Sequence, residues 1–282
     1  MNRASSPLKA RSILEQFKIK PRKSLGQNFL VSAGARELIV DAAELETEDQ
    51  VLEIGSGLGA LTERLVQEAG LVVTVELDEV IYSVLETNFR EVENLKLIQG
   101  NILEIQPSDL GLQAGYVVVA NIPYNITSAV IRHLMESDRP AARIVLTIQR
   151  EVAERIVAGP GEMSLLALSV QVFGVPNIEA YISAGSFFPV PSVESAVVRI
   201  DMQKHPAISA GGVDTIFKLA RAGFAQKRKQ LKNSLAHALP LDRQRAEQLL
   251  LSCGIDPRTR AQALGVEQWA SLAQKFDEYS QG

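Results

Sequence analysis

The sequence predicts an α/β fold with a mostly parallel sheet, followed by a small all-helical domain. From about residue 35 to residue 200, short apolar runs alternate with segments in which apolar residues recur at helical spacing. This alternation is typical of a parallel sheet that carries helices on both faces. Beyond a linker-like segment at 204–212, only short amphipathic helical patterns remain.

The predicted elements follow one another in a regular order. Strands are predicted where aliphatic and β-branched residues form short runs, at 50–55, 71–78, 95–101, 116–121, 142–149, 177–183 and 195–201. Helices are predicted where apolar residues recur every three or four positions, at 34–45, 58–70, 79–89, 127–137 and within 150–173.

Composition excludes several classes of protein. With 282 residues, of which 46% are hydrophobic and 22% charged, the chain can bury one large core and one smaller core. No apolar run approaches the roughly 20 residues that span a bilayer, and the N-terminal residues do not resemble a secretory signal. One cysteine and three histidines argue against a disulfide framework or a zinc site. We therefore expect a cytoplasmic protein without a metal or a membrane partner.

Two basic segments stand out against the net charge of −4. Residues 1–25 carry seven basic residues and one acidic residue; the basic ones are Arg3, Lys9, Arg11, Lys18, Lys20, Arg22 and Lys23. Residues 221–233 carry no acidic residue, and their basic ones are Arg221, Lys227, Arg228, Lys229 and Lys232. Two such clusters on an acidic protein predict a polyanionic partner, with Lys23 and the second cluster as the RNA-binding candidates. A transit peptide stays open as an alternative for the first 20 residues.

A glycine motif follows the first predicted strand of the sheet, in the segment VLEIGSGLGALTERL. Gly55, Gly57 and Gly59 lie between this strand and the next helix, where the backbone can approach a ligand closely. Glu76 ends the next strand and can accept hydrogen bonds from a ribose diol. By itself this pattern fits either NAD or S-adenosylmethionine.

The segment VVVANIPYNITSAVIRHL separates these two cofactors. Asn121 to Tyr124 end a buried strand and should face the same crevice as Gly55 and Glu76. An amide oxygen and a nearby carbonyl can accept hydrogen bonds from the two N–H groups of a planar amine. This directs the nitrogen lone pair towards an incoming methyl group. Pro123 fixes the backbone and Tyr124 offers a face for a base. The cluster favours methyl transfer to an exocyclic amine.

Six ordered blocks resemble the ribosomal RNA adenine N6-dimethyltransferases over about residues 20–265. The blocks are KSLGQNFL, VLEIGSGLGALT, VELD, GNILE, ANIPYNITSAVI and FFPVPSVESAVVRI. The resemblance implies a Rossmann-like, class I S-adenosylmethionine-dependent methyltransferase with a seven-stranded sheet. It also implies domains at 1–22 (a basic arm), 23–203 (methyltransferase) and 204–282 (helical and RNA-binding).

The resemblance implies roles for the matched positions. Cofactor-binding residues would be Asn28, Leu30, Gly55, Glu76, Asn101 and Asn121. Asn101 stands where the family more often has Asp, and its amide oxygen can still accept a bond from the cofactor's adenine amine. The catalytic set would be Asn121, Pro123, Tyr124 and Phe187, with Phe187 stacking on the target adenine and core packing as the alternative role for that ring.

The implied substrate is a pair of adjacent adenines in the 3′-terminal hairpin of 16S rRNA, in the small ribosomal subunit or its precursor. We expect a monomer that binds this RNA and flips each adenine out of its stack. Three alternatives stay open: a resistance-type methylase of 23S rRNA, a nicotinamide-dependent oxidoreductase, and an RNA-binding assembly factor or transcription factor on the same fold. The blocks FAQKRKQLKNSL and GIDPRTRAQAL favour the small-subunit substrate over the first.

Overall fold

Two units make up the chain. The computed structural model describes residues 7–17, 19–203, 208 and 212–281. One unit comprises the described residues up to Ala153 together with Pro176–Met202, and the other comprises Glu154–Val175 with the described residues from Gln203 onwards. The sequence boundary at 203 lies where the second unit resumes, but the sequence did not indicate that 154–175 belongs to it. The predicted linker at 204–212 falls largely outside the described residues.

The first unit contains the predicted alternation of strands and helices. Its strands are β1 (Phe29–Leu30), β2 (Gln50–Ile54), β3 (Leu71–Glu76), β4 (Leu95–Gln99), β5 (Val117–Asn121), β6 (Arg143–Gln149), β7 (Gly174–Ile182), β8 (Phe187–Phe188) and β9 (Ser195–Met202). The first two residues of β7 belong to the second unit. Its helices are α1 (Pro7–Gln16), α2 (Ala33–Asp41), α3 (Thr62–Glu68), α4 (Glu79–Asn88) and α5 (Thr127–Met135), and α6 (Arg150–Val157) begins in it. Short 3₁₀ helices lie at Lys23–Leu25, Ile102–Glu104 and Ala184–Ser186.

Among the described residues, seven strands form one sheet in the order β4-β3-β2-β5-β6-β9-β7. The pairs from β4 to β6 are parallel, and β9 is antiparallel to β6. This confirms the predicted fold class. Because the chain runs from β2 outwards to β4 and then returns to β5 on the other side, the order reverses between β2 and β5, which is where ligands of open α/β sheets bind.

A second, two-stranded sheet lies beside the large one. In it β1 pairs with β8, so that Phe29 faces Phe188 and Leu30 faces Phe187. Phe29, Leu30 and Phe187 are buried in the same apolar core as Val119 and Val145 of the large sheet. The pairing therefore fixes the N-terminal segment that precedes α2 against the core.

Local sequence explains where several helices begin. Ser32 accepts from the amide of Ala35 at the start of α2, and Asp78 accepts from the amides of Val80 and Ile81 at the start of α4. Helix α3 begins at Thr62 rather than at the predicted residue 58. Residues 58–61 form turns instead, because the glycines just before and among them have positive φ.

Apart from the first two residues of β7, the regular elements in the described residues of the second unit are helical. Its helices are α7 (Leu165–Gln171), α8 (Gly212–Phe224), α9 (Leu231–Ala238), α10 (Arg243–Ser252) and α11 (Val266–Gln281), with a 3₁₀ helix at Ala261–Ala263. Trp269 is fully buried at its centre, and its ring lies 5.6 Å from that of Phe224. Leu168 of α7 belongs to the same core, which explains why this part of the chain joins the unit. No helix in the described ranges is long and apolar enough to cross a membrane.

Candidate active site

A cleft opens at the carboxyl ends of β2, β3 and β5, at the reversal point of the sheet. Its walls come from four segments, 25–30, 54–61 without Gly59, 75–77 and 121–126, with further contributions from Ile81 and from 100–102. The lining includes Gly55 and Gly57 of the glycine motif, together with Glu76, Asn101 and Asn121. Asn28 and Leu30 also line the cleft.

The glycine motif has a backbone that only glycine adopts easily. Gly55, Gly57 and Gly59 have φ values of +70°, +54° and +82°. A Cβ atom on Gly57 would lie 3.0 Å from the ring of Phe29, and one on Gly59 would lie 2.6 Å from the ring of Phe89. The motif is thus fixed both by its own conformation and by close aromatic neighbours.

Glu76 is buried at the end of β3, and the backbone holds its carboxylate. One oxygen accepts from the amide of Gly57 at 3.1 Å and the other accepts from the amide of Asp78 at 2.9 Å. Burial raises the pKa of this carboxyl group, and the two backbone amides oppose that change. Each oxygen keeps lone-pair capacity, so the group can accept two further bonds from a diol.

Asn121 is oriented by the N-terminal segment. Its side-chain nitrogen donates to the backbone carbonyl of Asn28 at 3.2 Å, and Asn28 in turn donates to the carbonyl of Gly26 at 3.2 Å. An amide oxygen cannot donate a hydrogen bond to a carbonyl, so the side-chain atom of Asn121 that faces the carbonyl of Asn28 is the nitrogen Nδ2. Asn121 lines the cleft, and its Oδ1 atom can accept a hydrogen bond from a ligand there.

The residues after Asn121 are held by their own contacts. The amide of Ile122 donates to the carbonyl of Thr147 at 3.2 Å, and the carbonyl of Pro123 accepts from the amide of Ile126 at 3.1 Å. Tyr124 is half-buried and lines the cleft, and its hydroxyl is 2.8 Å from Oγ of Ser195. The ring is therefore fixed beside Asn121.

Asn101 has a local structural role in addition to its place in the cleft. Its side-chain oxygen accepts from the amide of Leu103 at 3.2 Å, and its side-chain nitrogen donates to Glu104 at 2.9 Å. The oxygen begins the 3₁₀ helix at 102–104 as an N-cap. A second lone pair stays available for the ligand contact that the resemblance implies.

One predicted catalytic residue, Phe187, does not line the cleft. Phe187 is 2% exposed and belongs to the apolar core. The core-packing alternative describes its position, and stacking on a base stays a prediction that requires the ring to leave the core. The side chain of Lys23 lies outside what the structure describes.

Most of the second basic segment is exposed on the helical unit. Arg221 lies on α8 and Lys227, Arg228 and Lys229 lie in the turn that follows; all four are exposed. Lys232 differs, because it is half-buried and pairs with Glu247 at 3.1 Å. The cluster is thus a solvent-facing group of cations with Lys232 at its edge.

Sequence reasoning missed a polar contact that holds the N-terminal wall of the cleft. Gln27 donates to Asp78 at 2.9 Å, and the guanidinium of Arg22 lies 3.3 Å from the same carboxylate oxygen. Gln27 and Asp78 both appear in the motif blocks, but nothing in the pattern pairs them. Ser195 was missed in the same way.

Comparisons with known proteins give a family match and similar proteins from other organisms. A family model described as ribosomal RNA adenine dimethylase matches residues 18–278. A protein of Dehalococcoides mccartyi (strain CBDB1) named ribosomal RNA small subunit methyltransferase A is 41% identical over 277 residues, which cover 97% of this chain and 95% of that one. The protein of the same name from Moorella thermoacetica is 36% identical and covers 97% of this chain and 98% of its own.

Solved structures show the same fold. The crystal structure of the 23S rRNA methyltransferase ErmE superposes with a TM-score of 0.72 at 25% identity, and covers 89% of this chain and all of that one. A dimethyladenosine transferase from Plasmodium falciparum superposes with a TM-score of 0.77 at 24% identity, and covers 89% of this chain and 98% of its own.

Proposed function

Because the chain belongs to the ribosomal RNA adenine dimethylase family, we propose that it dimethylates two adjacent adenines in the 3′-terminal hairpin of 16S rRNA. The methyl donor is S-adenosylmethionine, which the family uses. Small-subunit RNA is favoured as the substrate because the relatives at 36–41% identity are named small subunit methyltransferases. The observation that carries the chemistry is the oriented amide of Asn121 in the cleft.

The residues of the cleft fit this cofactor. Glu76 offers two carboxylate oxygens to a ribose diol, and Asn101 offers an amide oxygen to an adenine amine. Gly55, with its positive φ and no side chain, allows close approach of the methionine portion beside β5. Asn28 and Leu30 would close the site from the N-terminal segment.

Bound S-adenosylmethionine supplies a methyl group on a sulfonium, which is already an activated electrophile. The task left to the protein is to direct the lone pair of the adenine N6, which is otherwise delocalised into the ring. Asn121 Oδ1 and the carbonyl of Ile122 would each accept a hydrogen bond from one N–H group of the adenine amine, which favours a pyramidal nitrogen. No covalent enzyme intermediate is needed, since positioning and hydrogen bonding suffice for an in-line transfer, after which the methylated N6 would release one proton to solvent.

The target base would leave its stack and lie against Tyr124, with its amine towards Asn121. Phe187 would cover the other face of the base once its ring turned out of the core. The site must also admit a monomethylated amine, since two transfers are made to each adenine. Pro123 supports this arrangement by fixing the backbone between Ile122 and Tyr124.

The rest of the proposed function concerns RNA and setting. Lys23 and the five basic residues of the helical unit, Arg221, Lys227, Arg228, Lys229 and Lys232, would contact RNA phosphates. We propose that the protein acts as a monomer in the cytoplasm on the small subunit or its precursor. We propose that the ranges 1–22, 23–203 and 204–282 have the roles of basic arm, methyltransferase and RNA-binding unit, except that 154–175 belongs with the helical unit and not with the methyltransferase unit.

The test is transfer of labelled methyl from S-adenosylmethionine to under-methylated small ribosomal subunits, followed by digestion and mass analysis of the nucleosides. Dimethyladenosine at adjacent positions, abolished by Asn121→Ala, is the expected result. Label on large-subunit RNA alone would indicate the resistance-type activity on 23S rRNA. No transfer to either RNA would leave an RNA-binding assembly factor as the better account.

A further inference from the structure

Ser195 makes a hydrogen bond to the aromatic side chain that faces the proposed target base. Its Oγ lies 2.8 Å from the hydroxyl of Tyr124, and Ser195 itself is 0% exposed. Tyr124 lines the cleft next to Asn121, but Ser195 does not. Within the described residues, the side chain of Tyr124 makes this one hydrogen bond. The contact therefore connects the cleft to the interior of the sheet.

The sheet gives Ser195 a fixed position. Ser195 is the first residue of β9, where it pairs with Gln149 of β6, and β9 lies between β6 and β7. The amide of Arg150 donates to the carbonyl of Glu194 at 3.0 Å, and the side chains of these two residues form an ion pair at 2.9 Å. Because Ser195 is fully buried and its backbone is paired in the sheet, its hydroxyl has a defined position from which it can hold a partner.

The ring of Tyr124 is consequently held at both ends. Its backbone follows Pro123, and its carbonyl accepts from the hydroxyl of Thr127 at 3.3 Å. Fixing the phenolic oxygen restricts χ1 of the side chain, because this oxygen lies on the axis about which χ2 turns the ring; the contact therefore fixes the position and direction of the long axis of the ring. Burial raises the pKa of Tyr124, so the phenol stays neutral and the hydrogen bond is kept at ordinary pH.

We propose that Ser195 is a positioning residue, which sets the position and direction of the Tyr124 ring against which the target adenine lies. This inference rests on the proposed function, because it assigns Ser195 a role in presenting a base to Asn121. A transfer reaction is sensitive to such placement, since errors of about 1 Å can lower its rate by a hundredfold.

The test is a double-mutant cycle with Ser195→Ala and Tyr124→Phe. Each change removes one partner of the hydrogen bond, and Tyr124→Phe keeps the aromatic ring. We expect each single variant and the double variant to show the same loss in kcat, about three- to tenfold, because only one contact is lost in all three. Affinity for S-adenosylhomocysteine should stay within about twofold of wild type, since neither change touches the cofactor residues.

Ser234→Ala is the matched control. Ser234 is 1% exposed, lies in the helical unit and has no hydrogen-bond partner for its hydroxyl within the described residues. The Ser234→Ala variant loses a buried serine hydroxyl that does not contact Tyr124, so its kcat should equal that of wild type. If Ser195→Ala does not fold, Tyr124→Phe alone must show the loss in kcat with cofactor affinity retained.

Additive losses would overturn the inference, as would wild-type kcat in either single variant. A loss of cofactor affinity that parallels the loss of kcat would also overturn it, because it would indicate general damage to the domain. These outcomes leave the proposed function intact as long as the wild-type protein methylates small-subunit RNA. Failure of that wild-type reaction would overturn the proposed function and this inference together.

Discussion

The side-chain nitrogen of Gln27 donates to a carboxylate oxygen of Asp78 at a distance of 2.9 Å. The contact joins the N-terminal wall of the cleft to the turn between β3 and α4, directly after Glu76. The other oxygen of Asp78 caps α4. One buried carboxylate thus holds both the N-terminal wall and the start of the helix.

Gln27→Ala should therefore weaken cofactor binding without unfolding the protein. A hydrogen bond to a charged group contributes about 1.5–3 kcal/mol, so we expect affinity for S-adenosylhomocysteine to fall about tenfold or more. Titration calorimetry measures this. Gln67→Ala, on the exposed side of α3, is the matched control and should bind as wild type. Equal affinities for the two variants would contradict a role for the contact.

Asn121→Asp should nearly abolish methyl transfer. A carboxylate cannot donate to the carbonyl of Asn28, so the group loses its orientation and gains a charge beside that oxygen. We expect kcat on small subunits to fall about a hundredfold or more, with a much smaller loss in cofactor affinity. Single-turnover transfer and cofactor titration separate the two effects, and Asn177→Asp on the exposed face of β7 serves as control. Retained kcat would argue against the proposed role of this amide.

Gly57→Ala should damage the cofactor site. The φ of +54° is unfavourable for alanine, and the added methyl group would lie 3.0 Å from Phe29. The strain of about 1–2 kcal/mol should lower cofactor affinity about tenfold. Gly159→Ala is a control, because a Cβ there meets no atom within 4 Å and no positive φ is required. Similar affinity in both variants would show that the glycine conformation is not needed for binding.

Glu53→Gln should change how stability depends on pH. Glu53 is fully buried in β2, where one oxygen accepts from Thr62 and Thr74 at 2.7 Å each, and burial raises its pKa from 4.5 to about 7. A raised pKa favours the folded state at low pH, and that contribution is lost as the pH rises from 4.5 through about 7. The loss amounts to about 3 kcal/mol, and it should vanish in the variant.

Thermal unfolding of both proteins at pH 5 and pH 8 measures this effect. The wild-type midpoint should fall relative to that of Glu53→Gln between the two pH values. Parallel midpoints at both pH values would show that the carboxyl group does not titrate in this range.

Lys227→Ala combined with Lys229→Ala should weaken RNA binding and reduce its salt dependence. Each phosphate contact contributes a slope of about 0.7–0.9 to the plot of log affinity against log salt, so the slope should fall by about 1.5. Arg243→Ala with Arg245→Ala, exposed on α10 of the same unit, removes two cations outside the cluster. Equal salt slopes for the two double variants would contradict a specific role for the cluster.

Local patterns were sufficient to predict the fold class and to expect that the proposed site residues lie at one edge of the sheet. The glycine motif, Glu76 and Asn121 each end or follow a strand, and parallel strands bring their carboxyl ends to one edge. The pairing of Tyr124 with Ser195 could not be predicted, because it depends on the register of β9 in the sheet. The burial of Phe187 depends likewise on its pairing with Leu30 in the small sheet. Helix α7 joined the second unit through tertiary packing, which periodicity does not reveal.

The small sheet has a consequence for the order of folding. Its pairing of Leu30 with Phe187 joins segments that are far apart along the chain, and contacts of this kind form late because a long loop must close first. Residues 25–30 form one wall of the cleft and include β1, the strand that makes this pairing. During synthesis, the large sheet up to β6 can assemble while that wall still lacks its partner strand. The binding site should therefore mature only after the segment around residue 188 has left the ribosome.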